Sequence, residues 1–153
     1  MKTLICLMVA SSAMIQNADA QQEPTTMDSL KRFQWVWEQE VPDPDIIEIY
    51  FEFSDSIKYD IEVFNTQYEE WEPSDGVSDV FACRYYLSDS IERTFRESEV
   101  GKNRNGRYLI VESVAGTTSV YEIVVLSDRY LGLCLLERDG MRKVTTWKAR
   151  EKD

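Results

Sequence analysis

The stretch that most constrains this chain is Arg107 to Ala149, RYLIVESVAGTTSVYEIVVLSDRYLGLCLLERDGMRKVTTWKA. It reads as four β-strands in succession. Asp139-Gly140 between two extended runs accepts the positive φ angles of a tight hairpin. Gly116-Thr117-Thr118 and Ser127-Asp128-Arg129 break the other runs. A meander of this kind cannot bury its apolar face alone, so it must pack on another sheet or close into a barrel.

The chain before it supplies more strands. Phe33, Trp35 and Trp37 fall at period two and mark a first strand, ended by Pro42 and Pro44. IIEIYFEF and IKYDIEVF alternate clearly, with Ser54-Asp55-Ser56 as the turn. Ile47, Ile49, Phe51, Phe53, Ile57, Tyr59, Ile61 and Val63 are expected on the dry face of this hairpin. Glu48, Tyr50, Glu52, Lys58, Asp60 and Glu62 are expected on the wet one. VFACRYYL places Phe81, Cys83, Tyr85 and Leu87 together, and Ile91 to Phe95 reads as one more short strand. Thr25-x-x-Asp28 is a capping signal for a single helical turn through Leu30. The expected class is therefore all-β, an antiparallel up-and-down barrel of about eight to nine strands with a short N-terminal helical turn. The alternative is a β-sandwich.

Residues 1–20 read as a cleaved signal peptide: Lys2, an apolar run from Leu4 to Ile15, then Ala18-Asp19-Ala20. Residues 21–153 then form a single domain, exported to a periplasmic or extracellular compartment, with no integral membrane span. The net charge is −11 and is unevenly spread. Fourteen acids face one base, Lys58, between Glu38 and Asp79, whereas bases outnumber acids after Val80. Such a half-chain repels nucleic acid and anionic membranes.

Two cysteines follow the leader, Cys83 and Cys134. In an oxidising compartment they are a possible disulfide; the other reading is two buried thiols in apolar strands. With no histidine in the chain, Cys-His nucleophiles and His-bearing zinc sites are excluded. Asp75, Ser78 and Asp79 offer oxygen ligands, but their spacing matches no calcium loop. No phosphate-binding loop, nucleotide fingerprint or nucleophile elbow is present, so no catalytic residue, metal ligand or cofactor is assigned, and the chain is not read as an enzyme.

The early tryptophan strand, the consecutive hairpins and the closing phrase YEIVVLSDRYLGLCLLERDGMRKVTTW resemble the lipocalin-like (calycin) barrels, of the small exported bacterial type. Trp35 stands where that family has its Gly-x-Trp tryptophan, and Phe33 stands in place of the glycine. The resemblance implies a basic residue near the chain's end, Lys148 or Arg150 by position, packed across that tryptophan. It also implies a small apolar or amphipathic ligand held in the barrel. The candidate lining is Trp35, Trp37, Ile49, Phe51, Tyr59, Ile61, Phe81 and Tyr85, unless these side chains simply fill the core. The other function class is an interaction or structural protein. It would dock an exported macromolecule, of unknown identity, through the acidic face or the loop bearing Tyr68 and Trp71.

Overall fold

The computed structural model describes residues 23–38, 46–64 and 78–153. The expected leader and the loop carrying Tyr68, Trp71 and Asp75 lie outside the described residues. One short helix, α1 (Thr26–Arg32), precedes eight strands: β1 (Phe33–Trp37), β2 (Ile46–Phe53), β3 (Ile57–Phe64), β4 (Ser78–Ser88), β5 (Tyr108–Glu112), β6 (Thr118–Leu126), β7 (Tyr130–Leu136) and β8 (Arg142–Glu151). Each strand pairs antiparallel with the next, and β8 returns to β1, closing the barrel. Closure removes every free sheet edge, and the sandwich alternative is set aside.

The helix forms where its capping signal stands. The Thr25 side chain accepts from the Asp28 backbone N–H, and Asp28 reaches back to the Thr25 backbone. Seven residues are too few to hold a helix in water alone, and tertiary contacts supply the rest. Met27 N–H donates to the Arg104 carbonyl at 2.9 Å, and Lys31 pairs with Asp55 at 2.5 Å. Met27 and Leu30 are fully buried and plug the end of the barrel at which β1 begins. Trp35 lies beneath them, and its Nε1–H donates to the Leu30 carbonyl at 2.9 Å. Phe33, Phe53, Tyr85, Leu87, Leu109 and Leu131 complete this packed end.

Among the described residues no basic side chain covers Trp35, which corrects the expectation drawn from the resemblance. Trp35 faces inward opposite Ala149, so the neighbouring Lys148 and Arg150 point outward. Arg150 instead lies 4.8 Å from the Tyr50 ring on the outer surface and pairs with Glu48.

The expected strand at Ile91–Phe95 is not one. The connection from Ser88 to Tyr108 is irregular apart from a single 3₁₀ turn, Glu97–Glu99. It crosses the outside of the barrel and buries a second small core of Tyr86, Ile110, Val120, Cys134 and Leu136. Phe95 stacks on Tyr86 with ring centroids 5.2 Å apart. Glu92 holds this connection by accepting from Tyr86 Oη (2.6 Å), Ser88 Oγ (2.9 Å) and Arg96 Nη2 (2.6 Å). These donors, Arg96 foremost, lower its carboxyl pKa to about 2.

The expected turns at the meander are in place. Gly140 has φ of +87° in the Asp-Gly hairpin. A register shift between Ile123 and Val125 leaves Val124 and Val125 both half-exposed on the outside. They stand beside Gly132, where an added Cβ would lie 3.0 Å from a Val124 methyl. A glycine at this point lets the bulged strand pass.

Candidate functional site

The site follows from the register of one hairpin. Ser54 N–H bonds the Ile57 carbonyl at 2.8 Å, leaving only Asp55-Ser56 as the turn. Phe53 then pairs with Lys58, and Phe51 with Asp60. Directly paired residues share a face, and a one-residue slip moves every side chain of a strand to the other face. Because Phe51 and Phe53 are buried inside the barrel, Lys58, Asp60 and Glu62 line its interior. Tyr59 and Ile61 lie outside, and they do not share the face of Ile49 and Phe51 as expected. Tyr59 is 37% exposed while Lys58 is 8% exposed, the reverse of the pattern read from polarity.

The other candidate residues separate into two groups. Trp35, Phe51 and Tyr85 belong to the packed core; Tyr85 Oη donates to the Ser54 carbonyl at 2.5 Å. Trp37, Ile49 and Phe81 stand nearer the opposite end. Trp37 pairs with Trp147, Ile49 with Glu62, and Phe81 with Asp60. Alternation puts all three on the inner face. Trp37 is nevertheless 40% exposed and Phe81 44% exposed. Among the described residues the barrel is thus filled at the α1 end and accessible at the other.

Between the two ends lies a polar layer. Lys58 Nζ is bonded to Asp60 Oδ1 and sits 4.3 Å from the Phe51 ring centroid. Trp147 packs on Phe51, the ring centroids 4.1 Å apart, and its Nε1–H donates to Thr145 Oγ1 at 3.0 Å. The Cys83 thiol donates to Asp60 Oδ2 at 3.7 Å. Burial, and then the Asp60 charge, push the pKa values of both Cys83 and Tyr121 up, so neither ionises readily. Ser119, Tyr121, Thr145 and Trp147 are half-buried along the inner face of β6 and β8. Lys58 and Asp60 are expected on the wet face from polarity, and Tyr121 and Thr145 are not among the expected site residues. The parity of the two-residue turn was the signal that reveals the first two.

Cys83 and Cys134 are both free. Cys83 faces Asp60 inside the barrel, whereas Cys134 lies in the outer cluster under the Ser88–Tyr108 connection. The wall of the barrel separates the two thiols, which corrects the possible disulfide.

No family model matches the chain, and searches of curated proteins and of solved structures find no match either. No helix among the described residues is long and apolar enough to cross a membrane.

Proposed function

We propose that this eight-stranded barrel is a lipocalin-like binding protein that takes a small amphipathic ligand into its open end. One observation carries the reading: Trp37 and Phe81 face the lumen yet stay about two-fifths exposed, above an ion pair whose lysine rests on the Phe51 ring. Large apolar side chains left accessible inside a concave wall, with a few convergent polar groups, are what ligand sites consist of. The N-terminal leader pattern supports, on this reading, a place outside the cytoplasm. No catalytic role is proposed: Asp60 sits beside Lys58 rather than in an apolar niche, and burial and the Asp60 charge raise the pKa of Cys83, the one thiol of the lumen among the described residues.

The test is titration of residues 21–153 with an environment-sensitive apolar fluorophore, before and after Ser119→Trp, which fills the lumen from β6. Micromolar binding that the substitution abolishes supports the proposal. Binding that survives it, or no binding at all, overturns it.

A second reading has its own observation. On the outside of β2, β3 and β4, Tyr50 pairs with Ile61, and Ile61 with Val80. Tyr59 and Val80 are well exposed there, forming an apolar strip of the kind that marks a docking face. If the lumen proves empty of ligands, this strip is where a protein partner would bind.

A further inference from the structure

We infer that the polar end of the ligand is an organic cation, an ammonium group above all; this rests on the lumen reading above. The ion pair at the base of the lumen is lopsided. The Lys58 side chain is 11% exposed and tucked against Phe51, whereas the Asp60 side chain is 34% exposed. What an entering molecule meets is therefore the carboxylate, not the ammonium. Asp60 Oδ1 is taken by Lys58, but among the described residues Oδ2 receives only the thiol of Cys83 at 3.7 Å. A thiol is a weak donor, so Oδ2 retains acceptor capacity for an N–H from a ligand.

The groups around Asp60 favour the same charge. Glu62 is the next inward residue on β3, and Phe81 is the direct partner of Asp60 on β4. A cation beside Asp60 and Glu62 also lies within reach of aromatic faces, which attract it through their quadrupoles. Among the described residues of this end, Lys143 is the one base on the inner face, exposed and three strands away round the barrel on β8 opposite Leu135. Arg138 lies in the β7–β8 hairpin, and Arg142 pairs outward with Glu122. The net charge of −11 draws cations toward the protein as a whole. An anion, by contrast, would have to displace Asp60 from a lysine that is already paired and covered.

Isothermal titration of the folded chain compares decylammonium, decanol and decanoate below their micellar concentrations. It is run at about 0.15 M salt, where the Debye length is about 8 Å and distant surface charge is screened. Decylammonium should bind about tenfold more tightly than decanol, as expected for a partly desolvated cation among carboxylates and rings. It should compete with decanol, and decanoate should bind least. In the charge-neutral double variant Lys58→Met with Asp60→Asn, decanol binding should persist while the ammonium preference falls to a few-fold or less. Glu62→Gln, on a less buried position, should lower that preference severalfold even if the double variant fails to fold.

Decanol binding without preference for decylammonium would overturn the cation and leave the lumen reading standing. Binding of none of the three would overturn both. A preference untouched by either variant would place the cation on the outer surface and overturn the inference.

Discussion

Alanine substitutions at two adjacent residues of β3 separate the observed register from the one its polarity suggests. In the structure Lys58 is inside and Tyr59 outside. Lys58→Ala removes a cation 4.3 Å from the Phe51 centroid, a stem that is almost wholly buried, and the partner of Asp60. The cation–π contact contributes about 1 kcal/mol when partly desolvated. Loss of the buried stem costs about 1–2 kcal/mol more at ~0.8 kcal/mol per methylene, since the lumen leaves part of the vacated space wet. Asp60 is one-third exposed and regains water, so the 3–5 kcal/mol penalty of orphaning a fully buried charge does not apply. The expected loss is about 2–3 kcal/mol. Tyr59→Ala, on the exposed face, should cost about 1 kcal/mol or less. Urea unfolding followed by circular dichroism gives both values from the midpoints, provided the slopes agree. A costly Tyr59→Ala together with a harmless Lys58→Ala would refute the register, and with it the lumen assigned here.

Acid should loosen the Ser88–Tyr108 connection. The Glu92 carboxyl is lowered from its ordinary value to about 2, so its contribution is complete above about pH 4.5 and is lost as pH falls through 2. Because Arg96 is half-exposed, that contribution is about 1 kcal/mol; Glu92→Gln should cost this much at pH 7 and little at pH 2, read from pH-dependent melting. Cys83 and Cys134 should both be found as thiols by intact-mass alkylation under denaturing conditions, and the melting temperature should not change with reductant; a mass two hydrogens short would contradict their placement on opposite sides of the wall.

Much of the architecture was legible because local signals and global fold agree. The Thr25/Asp28 capping box starts the helix where it is read, and Asp139-Gly140 makes the last hairpin. The alternation Leu131, Leu133, Leu135 orients β7 without ambiguity. That same alternation already sets Cys134 outward and Cys83, in step with Tyr85, inward, so strand parity decides against a disulfide that cysteine counting alone allows. The failure at β3 has a definite cause. Ile57, Tyr59, Ile61 and Val63 are more apolar than Lys58, Asp60 and Glu62, and polarity was taken to choose the inner face. In this barrel the two-residue turn chooses instead. The polar set is tolerated inside because Lys58 and Asp60 neutralise one another and the far end admits water. Of the apolar set, Ile61 gains cover from its cross-strand neighbours Tyr50 and Val80 on the outside. Ile91 to Phe95 misled for a related reason: Phe95 serves an outer cluster, which a loop can fill without entering a sheet, while Ile91 stays half-exposed.

The most direct test of ligand entry at the open end is the response of the tryptophan indole N–H signals to decanol in a two-dimensional proton–nitrogen NMR spectrum. The chain has four tryptophans, and three of them report on known positions along the barrel. Trp37 stands at the accessible end, Trp147 in the layer over Phe51, and Trp35 in the plugged end bonded to Leu30. Saturable shifts of Trp37 and Trp147, with Trp35 still, are the predicted result. No shift at Trp37 and Trp147, or shifts confined to backbone amides of Tyr59, Ile61 and Val80 on the outer strip, would contradict it.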